Sequence, residues 1–160
     1  MRKVSCIMVN KDSKTFIVNT RDFGEIKVNE TDIITFPNGL FAFEDMKEFI
    51  LITPKGEDEF PMWLQSVESA DLCFIVFDPQ KIFDSFKPKL DKNTLSLLQI
   101  DDLSKARFLS IAVIYDDYIK TTINLKSPIV INVEKLIGAQ VILDESYPFK
   151  HPLFSEVEGK

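Results

Sequence analysis

Short runs of β-branched and aromatic residues, broken every few positions by turn residues, dominate the chain, and no segment sustains a 3.6-residue period for long. Thr15 to Thr20 is such a run, Arg21-Asp22-Phe23-Gly24 supplies turn chemistry, and alternation resumes over Glu25 to Val28, which predicts a hairpin. Ile33 to Phe36 predicts a further strand, closed by Pro37-Asn38-Gly39, where proline sets φ and Asn-Gly tolerates positive φ. Leu40 to Lys47 is too short and mixed to predict a helix, and Phe49 to Thr53 and Met62 to Ser66 predict strands joined by the loop Pro54 to Phe60. Leu72 to Phe77 is a continuous apolar run stopped by Asp78-Pro79, the pattern of a central strand buried on both faces.

One short helix is predicted between Asp91 and Ile100, with Asp91 as N-cap and Leu95, Leu98 and Ile100 on one side. Ala106 to Tyr115 and Tyr118 to Leu125 flank Asp116-Asp117 and predict a hairpin. Pro128 to Val133 and Ala139 to Leu143 are two more β-type runs, separated by Glu134 to Gly138. About nine short strands with one short helix predict an all-β fold, a β-barrel or a sandwich, and not βαβ units. A chain of 160 residues predicts one domain, over 1–153, with 1–14 as an N-terminal extension and 154–160 as a fraying tail.

Composition sharpens this picture at three points. Fourteen Phe against three Tyr and one Trp indicate a core filled by side chains that need no hydrogen-bond partner. No run approaches the ~18–20 apolar residues of a membrane helix, and no cleavable leader is legible, so the expectation is a cytoplasmic protein without membrane contact. Cys6 and Cys73 stand far apart, which fits buried thiols in a reducing compartment. The net charge of −6 disfavours a phosphate backbone as partner and leaves a basic protein partner or simple solubility as its meaning.

Candidate chemistry is sparse. His151 is the one histidine, near the chain end and without a second ligand or relay partner; the five glycines are isolated, so no phosphate-cradling loop forms. Ser66 and Ser127 lack a nucleophile-elbow context, and Cys73 sits in an apolar run that makes its thiol inert. Glu44-Asp45, Glu57-Asp58-Glu59, Asp101-Asp102 and Asp116-Asp117 lack the spacing of a calcium loop and fit solvated turn acids. No cofactor, metal, small-molecule substrate or catalytic residue is predicted.

Five strings carry a resemblance: ITFPNGLFAFEDMKEF (34–49), LQSVES (64–69), LCFIVFDP (72–79), TINLKSPIVIN (122–132) and GAQVILDESYPFKHPL (138–153). In order and spacing they resemble the FliW family of flagellar assembly factors. The chain departs from that family at Ala42, where glycine is usual, and at Ser127, where alanine is usual. The resemblance implies a protein that binds the RNA-binding translational regulator CsrA and flagellin, switching between them and so relieving repression of flagellin mRNA. A chaperone-like β-module that only holds an export substrate is the alternative, and an enzyme the remote third. The expected contact residues are Phe43, Glu44, Glu68, Asp71 and Gln140, an aromatic beside acids and a polar residue in an apolar run. Asn38, Gly39, Asp78, Pro79, Asn124, Pro128 and Asn132 are expected to hold turns and strand ends, the asparagines by satisfying backbone groups.

Overall fold

A computed structural model of the chain describes residues 14–54, 56 and 60–154. Cys6, the Glu57-Asp58-Glu59 cluster, most of the expected extension 1–14 and the tail after residue 154 lie outside the described residues. The strands are β1 (Thr15–Asn19), β2 (Glu25–Asn29), β3 (Ile34–Thr35), β4 (Glu48–Ile52), β5 (Met62–Ser66), β6 (Cys73–Phe77), β7 (Ala106–Val113), β8 (Thr122–Ile123), β9 (Ile129–Asn132), β10 (Ile137–Gln140) and β11 (His151–Pro152). Two short helices, α1 (Pro79–Ile82) and α2 (Lys92–Leu98), follow β6.

Each strand from β3 to β7 pairs antiparallel with the next, β3 pairs parallel with β10 at Ile137↔Thr35, and β10 pairs with β9. The ring closes because β9 also pairs with the first half of β7, Ala106↔Asn132 through Leu109↔Ile129. A closed barrel results, with β8 and β11 as an annex on the end of β7.

Alternation along the strands sorts side chains between the barrel interior and two outer faces. Phe49, Leu64, Val76, Leu109, Ile129 and Ile131 point inward with Phe36 and Leu40. Ile50 and Ile52 of β4 point outward and are covered by Val18, Ile26 and Val28 of the β1–β2 hairpin. On another outer face Phe77, Phe108, Val130 and Ala139 are covered by Phe86 and by Leu98 and Ile100 at the end of α2. The apolar run of β6 thus serves two clusters, as its lack of alternation predicts, with Phe74 and Ile75 only half-buried. Gly138 sits inside β10 because Phe36 lies against it: a Cβ there would come within 2.6 Å of the Phe36 ring.

Four expectations are corrected. Asp78-Pro79 ends β6 and also starts α1, with the Asp78 carboxylate accepting the Gln80 amide at 3.0 Å and proline at the first helical position. The β7–β8 hairpin is shorter than predicted, because Asp117 accepts the Ile119 amide at 3.2 Å and sets a 3₁₀ turn over Tyr118–Lys120 in place of strand. Strand β10 begins at Ile137 and not at Ala139, since Leu136 at φ 53° closes the turn after Asn132 and returns the chain to the sheet early. His151 is not at a loose end: it belongs to β11, pairs with Ile123 and stacks edge-on against Phe83 at 4.5 Å.

Candidate functional site

The segment from Pro37 to Lys47 turns back on itself three times and closes one end of the barrel. The Gly39 amide donates to the Phe36 carbonyl at 2.9 Å with φ 67°, and a Cβ on Gly39 would stand 2.6 Å from the Glu44 Cα, so only glycine fits. The Phe43 amide donates to the Leu40 carbonyl at 2.8 Å, and Ala42 between them takes φ 72°. The departure at Ala42 therefore leaves the turn intact and places a side chain in the left-handed region. Leu40 and Met46 drop into the barrel interior, and Phe43, half-exposed, stacks edge-on against Phe74 at 5.7 Å.

Polar side chains hold this loop at both ends. Gln140 accepts the Phe41 amide at 3.0 Å and donates its own amide to the Ser127 carbonyl at 3.1 Å, tying the loop to β10. The Glu68 carboxylate accepts the amides of Lys47 and Glu48 at 2.8 and 3.2 Å, and Lys47 Nζ donates to the Pro37 carbonyl at 3.0 Å. Glu44 accepts the Ala42 amide at 3.2 Å.

Between the loop, α2 and β10 lies an open groove of about 440 Å³, within the range of sites that take a few side chains. Phe41, Leu97 and Ile142 line it and are 46%, 37% and 62% exposed. Glu44 and Asp91 stand among its lining residues, and no Lys or Arg does. Asp91 caps α2 by accepting the Thr94 amide at 2.8 Å, and that hydrogen bond holds its carboxyl below the usual carboxylate range.

Of the expected contact residues, Glu44 and Gln140 line the groove with Asn38 and Gly39, while Phe43 lies one residue beyond it on Phe74. Glu68 and Asp71 lie instead in the exposed β5–β6 turn. That turn is organised by Gln65, fully buried, whose side-chain amide points at the carbonyls of Ser66, Ser69, Ala70 and Leu72, at 3.1 to 3.3 Å. Of the residues expected to hold turns, Asn132 donates to the Leu98 and Gln99 carbonyls at the end of α2 and accepts the amides of Glu134 and Lys135, and Asn124 accepts the Ser127 amide.

Sequence reasoning missed Phe41, Leu97 and Ile142, because each alone resembles an ordinary apolar position and only the fold brings them together. It also missed the exposed tip Val113 to Ile119, where Tyr118 stacks on Phe154 at 5.6 Å, since strand-like composition predicts a hairpin there without saying which of its side chains stay in water. Cys73 is buried, and burial pushes its thiol up to about 11, so it stays protonated at neutral pH. Among the described residues no group of His, Cys, Asp and Glu has metal-binding geometry, and no helix is long and apolar enough to cross a membrane.

Fold and site together define a small closed β-barrel that carries a loop-built, acid-margined groove at one end. The FliW protein family model matches residues 17–153, and the chain belongs to the FliW family. It is 38% identical over 143 residues to the flagellar assembly factor FliW of Thermoanaerobacter pseudethanolicus, covering 89% of this chain and 95% of that one. The namesake from Bdellovibrio bacteriovorus is 33% identical over 90% of this chain and 82% of its own. A crystal structure of the flagellar assembly factor FliW superposes with a TM-score of 0.83 at 37% identity, covering 88% of this chain and 99% of that one.

Proposed function

We propose that the groove between the 37–47 loop, α2 and β10 is a protein-docking site, through which this flagellar assembly factor binds a CsrA-type regulator and flagellin in alternation. In this reading it acts in the cytoplasm, without catalysis and without touching RNA itself. The observation that carries it is the groove's chemistry: three exposed apolar side chains beside two acids, with no basic residue among them. Apolar anchors in a polar rim are the usual anatomy of a small interface, and the acids suit a partner that is basic because it must itself attract RNA. Switching needs only that one ligand lowers the affinity for the other, and linkage makes that effect reciprocal by the same factor.

Rim charges act on the encounter rate and anchors on dissociation, so kinetics separate the two. Stopped-flow association with the CsrA-type regulator of the same bacterium should slow as salt rises and slow further in Glu44→Lys. Phe41→Ala should instead raise the dissociation rate. Asp91→Asn removes charge and keeps a good cap, so its effect on association is separable from any on α2. A salt-independent association rate, unchanged in Glu44→Lys and Asp91→Asn, would overturn the acidic contact.

A further inference from the structure

Strand β10 is paired unequally on its two edges. Toward β9 it is bonded throughout, and the bonding runs past the strand: the Val141 amide donates to the Pro128 carbonyl at 3.0 Å and the Leu143 amide to the Lys126 carbonyl at 2.9 Å. Backbone groups of successive residues in an extended chain point to opposite edges, so those of Gln140 and Ile142 point the other way. Strand β3 meets that second edge only at Ile137, because the chain leaves the sheet at Phe36 to build the 37–47 loop. Among the described residues, no backbone group of β3 or of the loop bonds the backbone of Gln140 or Ile142. Both residues line the groove, together with Phe41 and Glu44 of the loop and Asp91 and Leu97 at α2.

From this we infer that the groove takes an extended segment of a partner protein, added as a strand to the open Gln140–Ile142 edge, with apolar and basic side chains alternating along it. Main-chain hydrogen bonds to an exposed sheet edge give affinity without sequence, and pockets for alternate side chains give the selection. Here the apolar side chains of the added strand are matched by Phe41 and Leu97, and its basic ones by Glu44 and Asp91. The occupant is a partner and not a second copy, because two such grooves face to face would bring the acids of both together. This rests on the docking reading above and adds the mode of recognition to it.

Proline at 142 isolates the edge. It removes one of the two amides that point to the open edge while leaving the Val141 and Leu143 amides on their carbonyls, and proline is tolerated at a strand edge. The probe is a blocked hexapeptide alternating lysine and valine, compared with one in which glutamate replaces lysine. On saturation with the lysine peptide, exchange of the Ile142 amide should slow at least about tenfold, and Ile142→Pro should bind it about tenfold more weakly, the scale of one or two lost hydrogen bonds. Ile142→Ala, which keeps the amide, should lose less, and the glutamate peptide should bind poorly.

Binding with no protection at Ile142, equal binding by Ile142→Pro, or equal binding of the two peptides would each overturn the inference. So would an Ile142 amide already protected in the free protein together with a dimer in sedimentation, which would make the occupant a second copy. Should Ile142→Pro fail to fold, amide exchange in the unaltered chain decides alone. If the cognate regulator binds Ile142→Pro as tightly as the parent but is lost on Phe41→Ala, strand addition falls and the docking reading stands. If neither variant loses it, both fall.

Discussion

On the side of the barrel covered by β1 and β2, a connected set of polar groups ties the hairpin to the sheet. Gln65 accepts the Arg21 amide at 3.0 Å, the Arg21 guanidinium donates to the Cys73 carbonyl at 3.0 Å, and Asp22 accepts from both Arg21 and the Trp63 indole. The one left-handed residue in that hairpin turn is Gly24, which bears the conformation without strain. On the groove side, Phe41, Leu97 and Ile142 stay exposed, one strand edge is open, and of the two left-handed positions in the 37–47 loop one is held by Gly39 and the other by Ala42. Both sides cover the same barrel, so the difference is not one of fold. A satisfied side holds the structure together, whereas a side with exposed anchors, an open edge and local strain is suited to receiving another molecule.

The comparison breaks most readily at Gln65. Replacing it with Ala leaves the Arg21 amide and several half-buried carbonyls of the β5–β6 turn without their partner, which should cost about 2–3 kcal/mol and lower the melting temperature by about 5–10 °C. Phe41→Ala, on the groove side, should cost under about 1 kcal/mol because the ring is already half in water. Thermal unfolding of the two variants side by side checks this. Equal losses would mean that the groove residues are as much a part of the framework as the hairpin lock.

What sequence reasoning could see follows the same division. The β1–β2 hairpin, the double-faced β6, the Asp91 cap and the asparagine-held turns all express local rules, and each was legible from a few neighbouring residues. Barrel closure was not, because it depends on β9 returning to β7 and on a single parallel pairing between β3 and β10, registers that no local pattern encodes. Gln65 resembled any polar residue in an alternating strand until its partners, up to 44 positions distant, were placed. The groove draws on three separated segments, so of the expected contact residues only Glu44 and Gln140 line it, while Glu68 and Asp71 lie in another turn.

A smaller effect, of opposite sign, is expected at Ala42. An L-residue at φ 72° carries a cost of about 1 kcal/mol that glycine lacks, partly offset by the greater freedom of glycine in the unfolded chain. Ala42→Gly should therefore stabilise the protein by roughly 0.5 kcal/mol, while Gly24→Ala should destabilise it by about 1 kcal/mol although open space surrounds that position. Denaturant midpoints measured at constant m-value test the pair. A loss of stability in Ala42→Gly would show that its methyl group makes a contact outweighing the strain.

The smallest effect belongs to Asp22. Its carboxyl is held below the usual carboxylate range, first by the hydrogen bond from Arg21 and with help from the Trp63 indole, against a desolvation cost that acts the other way. Because the folded form binds its proton less readily than the unfolded chain does, the unfolded state takes up more protons in acid. The stabilisation is therefore fully present above the ordinary carboxylate value of about 4 and is lost as pH falls through the lower, folded one. Its size is limited, since the Asp22 side chain is 39% exposed and its partner Arg21 37%, so water and salt screen much of the attraction. Asp22→Asn keeps the shape and an acceptor for the indole, and should cost under about 1 kcal/mol at neutral pH. The gap between parent and variant should stay level down to about pH 5, narrow below it and shrink in high salt. A gap that widens in acid would mean that the carboxylate is tolerated on the hairpin side and not used there, and the contrast with the groove acids would then rest on geometry alone.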